Sequence, residues 1–553
     1  MPSVLAPAEP EVLPGCTLAS SQRGPRHNRV CLDWASWVRT LLSFMGPGYI
    51  VAVGYMDPGN WATDLQGGSS YQYKLLFVIL FSNVFAVLFQ GLAAKIGVVT
   101  GRDLGQLCRK HFHPWLNYVL YVTAELGVIA TDLAEVIGAA ISLNLLLGIP
   151  LVWGILLTTL DVLVVLATFQ AKYLRIFEFI IIAMVLAVGV CYGMLLNRSS
   201  ASALDVLKGY LPLDSSIFTD PATLYVGMGI LGATIMPHNL FIHSRLVQYR
   251  SPRQEADPVD GALSVDPQQS VDLQQSVDVQ QPARMQECST ENMSGTQEET
   301  RVTVSGRNQE DMAPEVPIKS VDGRIRSSDP LEAKLADGYI NPPGFANKVQ
   351  KALSFAFIDS FIALTFALYV NSAILIVSAA LFYNTNQQIS DIPSAYELLK
   401  SLIAPWAATV FALALLCSGQ SSSITGTLAG QIVMEGFLKL QWPLWVRRLA
   451  TRTVTIIPAV IVVIVKGDAG LNGLLVLSQV VLSGCLPFAL WPLLWFSSSK
   501  KVMSVHFRTE KDLTGSKSFA NSWFIFIFSF VSIALITVLN GIMIYQAIAG
   551  APS

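Results

Sequence analysis

The chain has 553 residues, with 36 Lys and Arg against 38 Asp and Glu for a net charge of −2; 52% of residues are hydrophobic and 13% charged. A soluble domain carries about 25% charged residues, so the composition excludes an ordinary soluble protein, and the near-zero charge gives no sign of a nucleic-acid partner. Seven cysteines (16, 31, 108, 191, 288, 417 and 485) are scattered, with no CxxC pair and no His at metal-ligand spacing, which argues against a disulfide framework or a structural zinc site.

Residues 1–41 are polar, carry Arg23, Arg26 and Arg29, and lack the apolar centre of a cleaved signal peptide. They read as a disordered cytosolic tail. Eleven apolar stretches follow, at 42–67, 74–97, 115–143, 150–169, 175–196, 222–247, 351–382, 401–435, 449–466, 470–497 and 520–548. The expected fold is an all-α polytopic membrane protein, with segments one to six in 42–249 and segments seven to eleven in 350–553. Lys and Arg cluster in alternate loops: Arg102, Arg109 and Lys110; Lys172 and Arg175; Arg245, Arg250 and Arg253; Arg447, Arg448 and Arg452; Lys500, Lys501 and Arg508. By the positive-inside rule this places the N-terminus in the cytosol.

Segment one contains "MDPGN" (56–60), four residues of which do not belong in an uninterrupted apolar helix. Pro58 removes a donor and Gly59 tolerates unwound dihedrals, freeing carbonyls near Gly54 and Tyr55. A simple kink needs only the Pro or the Gly. Asp57 adds a charge that costs several kcal/mol in hydrocarbon unless it is paired or coordinated, and Asn60 adds a neutral oxygen, so the combination points to a cation site.

Segment three carries Glu125, Asp132 and Glu135, spaced by seven and three so that they share one helical face. Acids placed there suggest a proton relay; the plainer alternative is helix–helix hydrogen bonding by neutral carboxyls. After segment five, Asn197-Arg198-Ser199 is a glycosylation sequon on the expected outer side.

Segment six is interrupted at "MPHN" (236–239). Two broken helices in corresponding positions of two halves point to a transporter site built from inverted repeats, here five segments plus five with segment eleven appended. Met236 offers a thioether; most membrane methionines only fill space, but this one stands beside a proline break. With oxygens from Asp57, Asn60 and carbonyls near Gly54 and Ala233, it shifts the preference from Ca²⁺ or Mg²⁺ toward softer ions such as Mn²⁺, Fe²⁺ and Cd²⁺. An unperturbed histidine titrates near physiological pH, which makes His238 a candidate proton group, and Arg250 on the cytosolic side is a candidate proton acceptor or partner for this chain of groups. Gln479 in segment ten is a further polar candidate facing the cavity.

Residues 250–349 are polar and include three copies of a six-residue unit, "SVDPQQSVDLQQSVDVQQ". Such sequence reads as a disordered cytosolic loop, either a tolerated insertion or a platform for regulatory partners through phosphorylation or ubiquitination. A sodium-coupled solute symporter on the same architecture is the main rival reading, against which Met236 argues. An intramembrane metalloenzyme lacks support, since neither HExxH nor a triad-like Ser/His arrangement occurs.

"DPGN", "ATDLAEVIG", "MPH" and "SGQSSSITGTLAGQIVMEGFLKLQWPLWVRRLATR" together resemble the Nramp family of divalent-metal transporters. The likeness spans residues 43–497 apart from the insertion. "ALYVNSAILIVSAALFYN" and the insertion itself are most similar to the fungal manganese-transporter branch. The resemblance implies a broken-helix, inverted-repeat fold of the LeuT type, and proton-coupled import of Mn²⁺, Fe²⁺ and related ions (Cd²⁺, Co²⁺, Zn²⁺) with no resident cofactor. It implies metal ligation by Asp57, Asn60, Met236, the carbonyls of Gly54 and Ala233, and Gln479 in occluded states. The proton would travel by Asp132 and Glu135, with His238 near the gate. The expected location is the plasma membrane or an endosomal or vacuolar membrane.

Overall fold

The computed structural model describes residues 54–158, 189–250, 341–383, 391–508 and 514–549, apart from a few positions inside these ranges. The N-tail, the start of segment one, much of segments four and five, and the loop up to residue 340 lie outside the described residues. The helices are α1 Pro58–Tyr71, α2 Leu76–Thr100, α3 Leu104–His111, α4 Pro114–Leu147, α5 Ala203–Gly209, α6 Ser216–Thr219, α7 Pro221–Ile235, α8 Pro237–Leu246, α9 Phe345–Phe382, α10 Ile392–Leu402, α11 Pro405–Leu438, α12 Leu444–Lys466, α13 Ala469–Ser498 and α14 Trp523–Ile548. Among the described residues eight helices are long and apolar enough to cross a membrane, counting the α7–α8 pair as one. The other three expected segments are one, four and five; their described parts include helix at 58–71, 151–158 and 189–197.

Observed boundaries fall within a few residues of the expected ones, with instructive exceptions. Helix α9 begins at Phe345, inside the stretch assigned to the loop, and α12 begins at Leu444 rather than 449. Both extensions take in Lys or Arg (Lys348; Arg447) that a hydropathy reading counts as loop, whereas a helix end at the membrane surface accommodates them. Between α13 and α14 a hairpin of β1 Ser504–Arg508 and β2 Thr514–Ser518 was not expected. Its inward side chain Val505 is fully buried, and Asn341 Nδ2 donates to the His506 carbonyl at 2.7 Å, tying the end of the long loop to this hairpin.

The first break is a helix N-terminus. Asp57 is the N-cap of α1 in extended conformation, Pro58 is its first residue, and Asn60 N–H donates to Asp57 Oδ1 at 3.0 Å. "DPGN" is therefore a capping sequence placed inside the membrane domain. The second break has a different origin. α7 runs to Ile235, Met236 adopts φ +46°, and α8 restarts at Pro237. A non-glycine residue held at that φ costs on the order of 1–3 kcal/mol, so surrounding packing must enforce it. Each proline also lacks the N–H that would bond the carbonyl four residues earlier, which is Gly54 for Pro58 and Ala233 for Pro237.

α4 braces both breaks. A Cβ at Gly138 would overlap the Pro58 ring, and one at Gly127 would lie 3.3 Å from Pro237 Cγ. These glycines are eleven residues apart, about three full turns, so one face of α4 touches both prolines. α9 packs along α1 and α2, and α13 along α4 and α7, closing the bundle around the breaks. At the α2–α3 turn Asp103 caps α3, accepting from Gln106 N–H at 2.8 Å, and Arg245 at the end of α8 stands 3.7 Å away. Burial pushes the Asp103 carboxyl up, and Arg245 opposes that rise.

A Gly138→Ala substitution forces α4 off Pro58; overpacking costs about 1–3 kcal/mol, against a helix-propensity gain of about 1 kcal/mol. Gly484 on α13 has open space around it, so Gly484→Ala keeps only the gain. Thermal unfolding in detergent is expected to place the midpoint of Gly138→Ala below that of Gly484→Ala.

Candidate functional site

Asp57, Asn60, Ala233, Met236 and Gln479 are all buried to within 1% of full burial, and the two breaks bring them together. Asn60 Nδ2 donates to Asp57 Oδ1 at 2.5 Å and to the Ala233 carbonyl at 3.1 Å, joining the first break to the second. A Cβ at Gly59 would overlap the Gln479 amide and lie 3.0 Å from Asp57 Oδ2, so bare glycine is what lets α13 bring Gln479 against the aspartate. Gly54 faces Asn239, whose Nδ2 lies 3.1 Å from where a Cβ would stand. The same Nδ2 donates to Met236 Sδ at 3.3 Å, which holds the thioether at the break.

What is left unpaired is as telling. Asp57 Oδ2, Gln479 Oε1, Asn239 Oδ1 and Asn371 Oδ1 are buried and accept no hydrogen bond among the described residues. Buried oxygens without donors are costly. The amide nitrogen of Asn60 sits between two oxygens, as a cation would. A half-turn of that amide about its terminal torsion exchanges nitrogen for oxygen. It would present Oδ1 to the same point; Asn371, whose Nδ2 now donates to Asn60 Oδ1 at 3.4 Å, would turn with it and offer its unpartnered Oδ1 to the Asn60 amide. The pocket thus holds one carboxylate, neutral amide oxygens, a freed carbonyl at the C-terminal end of α7, and one thioether.

The acids of α4 have different partners. Asp132 and Glu135 are each 1% exposed and lie between the two contacts α4 makes with the prolines. Glu135 accepts from Ser422 Oγ at 2.7 Å and stands 4.0 Å from Arg452. Arg452 also donates to Ser423 Oγ and, at 3.5 Å, to the Asp132 carbonyl. Glu125 instead accepts from Arg447 at 2.6 and 2.8 Å, an ion pair about two turns from Asp132 and about three from Glu135. His238 Nδ1 lies 3.3 Å from Thr131 Oγ, beside Asp132 in sequence. Arg250 closes a 3₁₀ turn after α8, and its side chain lies outside the described residues. Asn197 is exposed at the end of the 189–197 helix.

A family profile described as Natural resistance-associated macrophage protein-like (Nramp) matches residues 48–267 and 341–546. The chain belongs to the Nramp family. It is 42% identical over 471 residues to the divalent metal cation transporter MntH of Listeria welshimeri, covering 85% of each chain. To the MntH of Nostoc sp. it is 41% identical over 470 residues, covering 85% of this chain and 86% of that one. A crystal structure of the Eremococcus coleocola manganese transporter, in complex with an aromatic bis-isothiourea substituted compound, superposes with a TM-score of 0.66 at 31% identity. That match covers 94% of this chain and 90% of the other. These relatives are bacterial rather than fungal. As an Nramp protein the chain is an integral multi-pass membrane transporter, not an enzyme.

In this Nramp chain the sequence alone does not disclose the placement of four polar groups. Asn239 and Asn371 sit among the expected ligands, and a lone amide in the apolar run "YVNSAI" was the available signal for the second. Arg447 and Arg452 were counted as loop charges, yet they are 4% and 2% exposed and turn into the bundle. Removing one partner of a buried pair strands the other charge. Arg447→Met is therefore expected to lower the unfolding midpoint more than the Arg447→Met, Glu125→Gln double substitution does, read by thermal unfolding of both proteins.

Proposed function

We propose that this protein is a proton-coupled secondary transporter that imports divalent transition metals, Mn²⁺ and Fe²⁺ with Cd²⁺, Co²⁺ and Zn²⁺ as related cargo, into the cytosol by alternating access. One observation carries the reading: Asp57 Oδ2 is a fully buried carboxylate oxygen without a donor, in a pocket whose other members are neutral oxygens and a thioether. A divalent cation meeting one carboxylate and neutral donors keeps a net positive charge, so it is held firmly enough to select and loosely enough to leave. Relatives named as divalent metal and manganese transporters support the same cargo.

Asp57, Asn60, Met236 and the Ala233 carbonyl are the proposed ligands, with Gly54 and Gln479 completing the shell in some states. Asp132 and Glu135 are the proposed proton carriers, apart from the metal, so that the two ions do not compete for one oxygen. His238 links them to the second break. Glu125 is better assigned to holding Arg447 than to the proton route. The metal and the proton are substrates, and the protein uses no resident cofactor. The long cytosolic loop is a tolerated insertion or a platform for regulatory partners, the N-terminus is cytosolic, and the membrane is the plasma membrane or an endosomal or vacuolar one.

The test is Mn²⁺ uptake into proteoliposomes under an inward acid gradient. Wild type is expected to accumulate Mn²⁺ in the presence of excess Ca²⁺, and Asp57→Asn to accumulate none. Met236→Ala is expected to lose about tenfold of its preference for Mn²⁺ over Ca²⁺, equivalent to about 1.4 kcal/mol. Wild type that carries no Mn²⁺ under any gradient would overturn the reading and favour a solute symporter.

A further inference from the structure

Asp64 has no part in the site described above, although it lies on the same helix. It is 1% exposed, and its Oδ2 accepts no hydrogen bond among the described residues. It stands seven residues beyond Asp57, two turns and about 10 Å along α1 toward that helix's C-terminus. Two further buried polar tips, which make no hydrogen bond among the described residues, belong to the same neighbourhood: Trp61 Nε1, one turn before Asp64, and Tyr192 Oη from the 189–197 helix. Both rings pack on Phe411, at centroid distances of 5.0 Å for Trp61 and 6.3 Å for Tyr192. Phe411 thus joins the Tyr192 ring to Trp61, on the helix that bears Asp64.

We propose that Asp64 is a second proton-binding carboxyl, which carries a proton while the Asp57 site is empty and releases it when a divalent cation binds there. This rests on the metal reading of Asp57. Among the described residues no hydrogen bond reaches Asp64 Oδ2 and no cation is paired with it, so an ionised Asp64 would be a buried anion two turns from a second one at Asp57. The α4 acids are placed differently, since Glu135 has Ser422 and Arg452 and Glu125 has Arg447. A cation at Asp57 reverses the sign of the local field, and ionised Asp64 is then favoured. By reciprocity, protonation of Asp64 weakens metal binding. The pocket suits a proton rather than a second metal ion, because the Trp61 N–H can only donate and repels a cation.

Among the described residues no other element supplies a charge that would change this balance. α7 and α13 contain no Asp, Glu, Lys or Arg, and α11 contains only Glu435 near its far end. α10 has only Glu397 and Lys400, which are largely exposed and pair with each other. α4 brings Asp132 and Glu135 to the Pro58 end of α1. Lys348, Lys351 and Asp359 lie in the first half of α9, whereas Asn371 and Ser378 are the α9 residues that bond α1.

The experiment is calorimetric titration of the purified full chain with Mn²⁺, in buffers of different ionisation enthalpy, which counts protons released per metal bound. Wild type is expected to release more protons than Asp64→Asn, by up to one, and Asp64→Glu to restore the wild-type count. A linked proton changes affinity by up to about tenfold per pH unit. Wild-type Mn²⁺ affinity should therefore fall more steeply on acidification than that of Asp64→Asn, which at neutral pH should match the weaker, protonated form. An Asp64→Asn protein that binds Mn²⁺ with the wild-type proton count and pH slope would overturn the proposal. Asp57→Asn tests the underlying reading separately, because Mn²⁺ binding that survives it removes the metal site whatever Asp64 does. Should Asp64→Asn fail to fold, Tyr192→Phe keeps the ring on Phe411 and removes only the hydroxyl. It is expected to shift the pH at which the extra proton is released, and an unshifted profile would contradict the assignment.

Discussion

Inside a bilayer a peptide carbonyl that loses its helical partner has no water to turn to. Two prolines, Pro58 and Pro237, create that situation at the carbonyls of Gly54 and Ala233. Much of the remaining structure can be understood as its consequence. The chain does more than cover a freed carbonyl with a hydrogen bond. It adds more oxygens, Asp57, Asn60 and Gln479, and one sulfur, Met236. At Ala233 the Asn60 amide bridges the gap at 3.1 Å, while Asp57 Oδ2 receives nothing. A core selected only for stability would satisfy or remove such groups, whereas a site that must exchange a cation keeps them available.

Holding two such breaks in register requires a rigid neighbour, and α4 has the geometry for it. Gly127 and Gly138 bring its backbone against Pro237 and Pro58, so a shift at either break is felt along one continuous helix. The acids proposed to carry the proton lie between those contacts. Coupling between metal and proton then needs no long pathway, because the helix that bears the acids is the one that touches both halves of the metal pocket. Arg452, reaching Glu135, the Asp132 backbone and Ser423, ties this face of α4 to α11 and α12.

Apolar segments, both breaks and the polar residues gathered at them could be read from the sequence, because each departs from the bilayer's rules in a way composition exposes. An aspartate beside proline and glycine, or a Met-Pro in mid-helix, is conspicuous against leucine and valine. Other features were not legible for a physical reason. Arg447 and Arg452 look like cytosolic charges in one dimension, and only the packing of α12 on α4 reveals that they turn inward. Glu125 shares a helical face with Asp132 and Glu135, yet spacing along one helix says nothing of the arginine on another that claims it. Asn239 was visible as part of "MPHN", but its role in holding Met236 Sδ depends on a side-chain direction that periodicity does not encode.

The central claim is that the two broken helices share one metal ion bound by the Met236 sulfur and the Asp57 carboxylate. X-ray absorption at the cadmium edge, on the purified protein loaded with one equivalent of Cd²⁺, addresses it most directly. The account predicts a first shell of oxygens with a single sulfur, and loss of that sulfur alone in Met236→Ala. An all-oxygen shell in the wild type, or a sulfur contribution that survives the substitution, would contradict it.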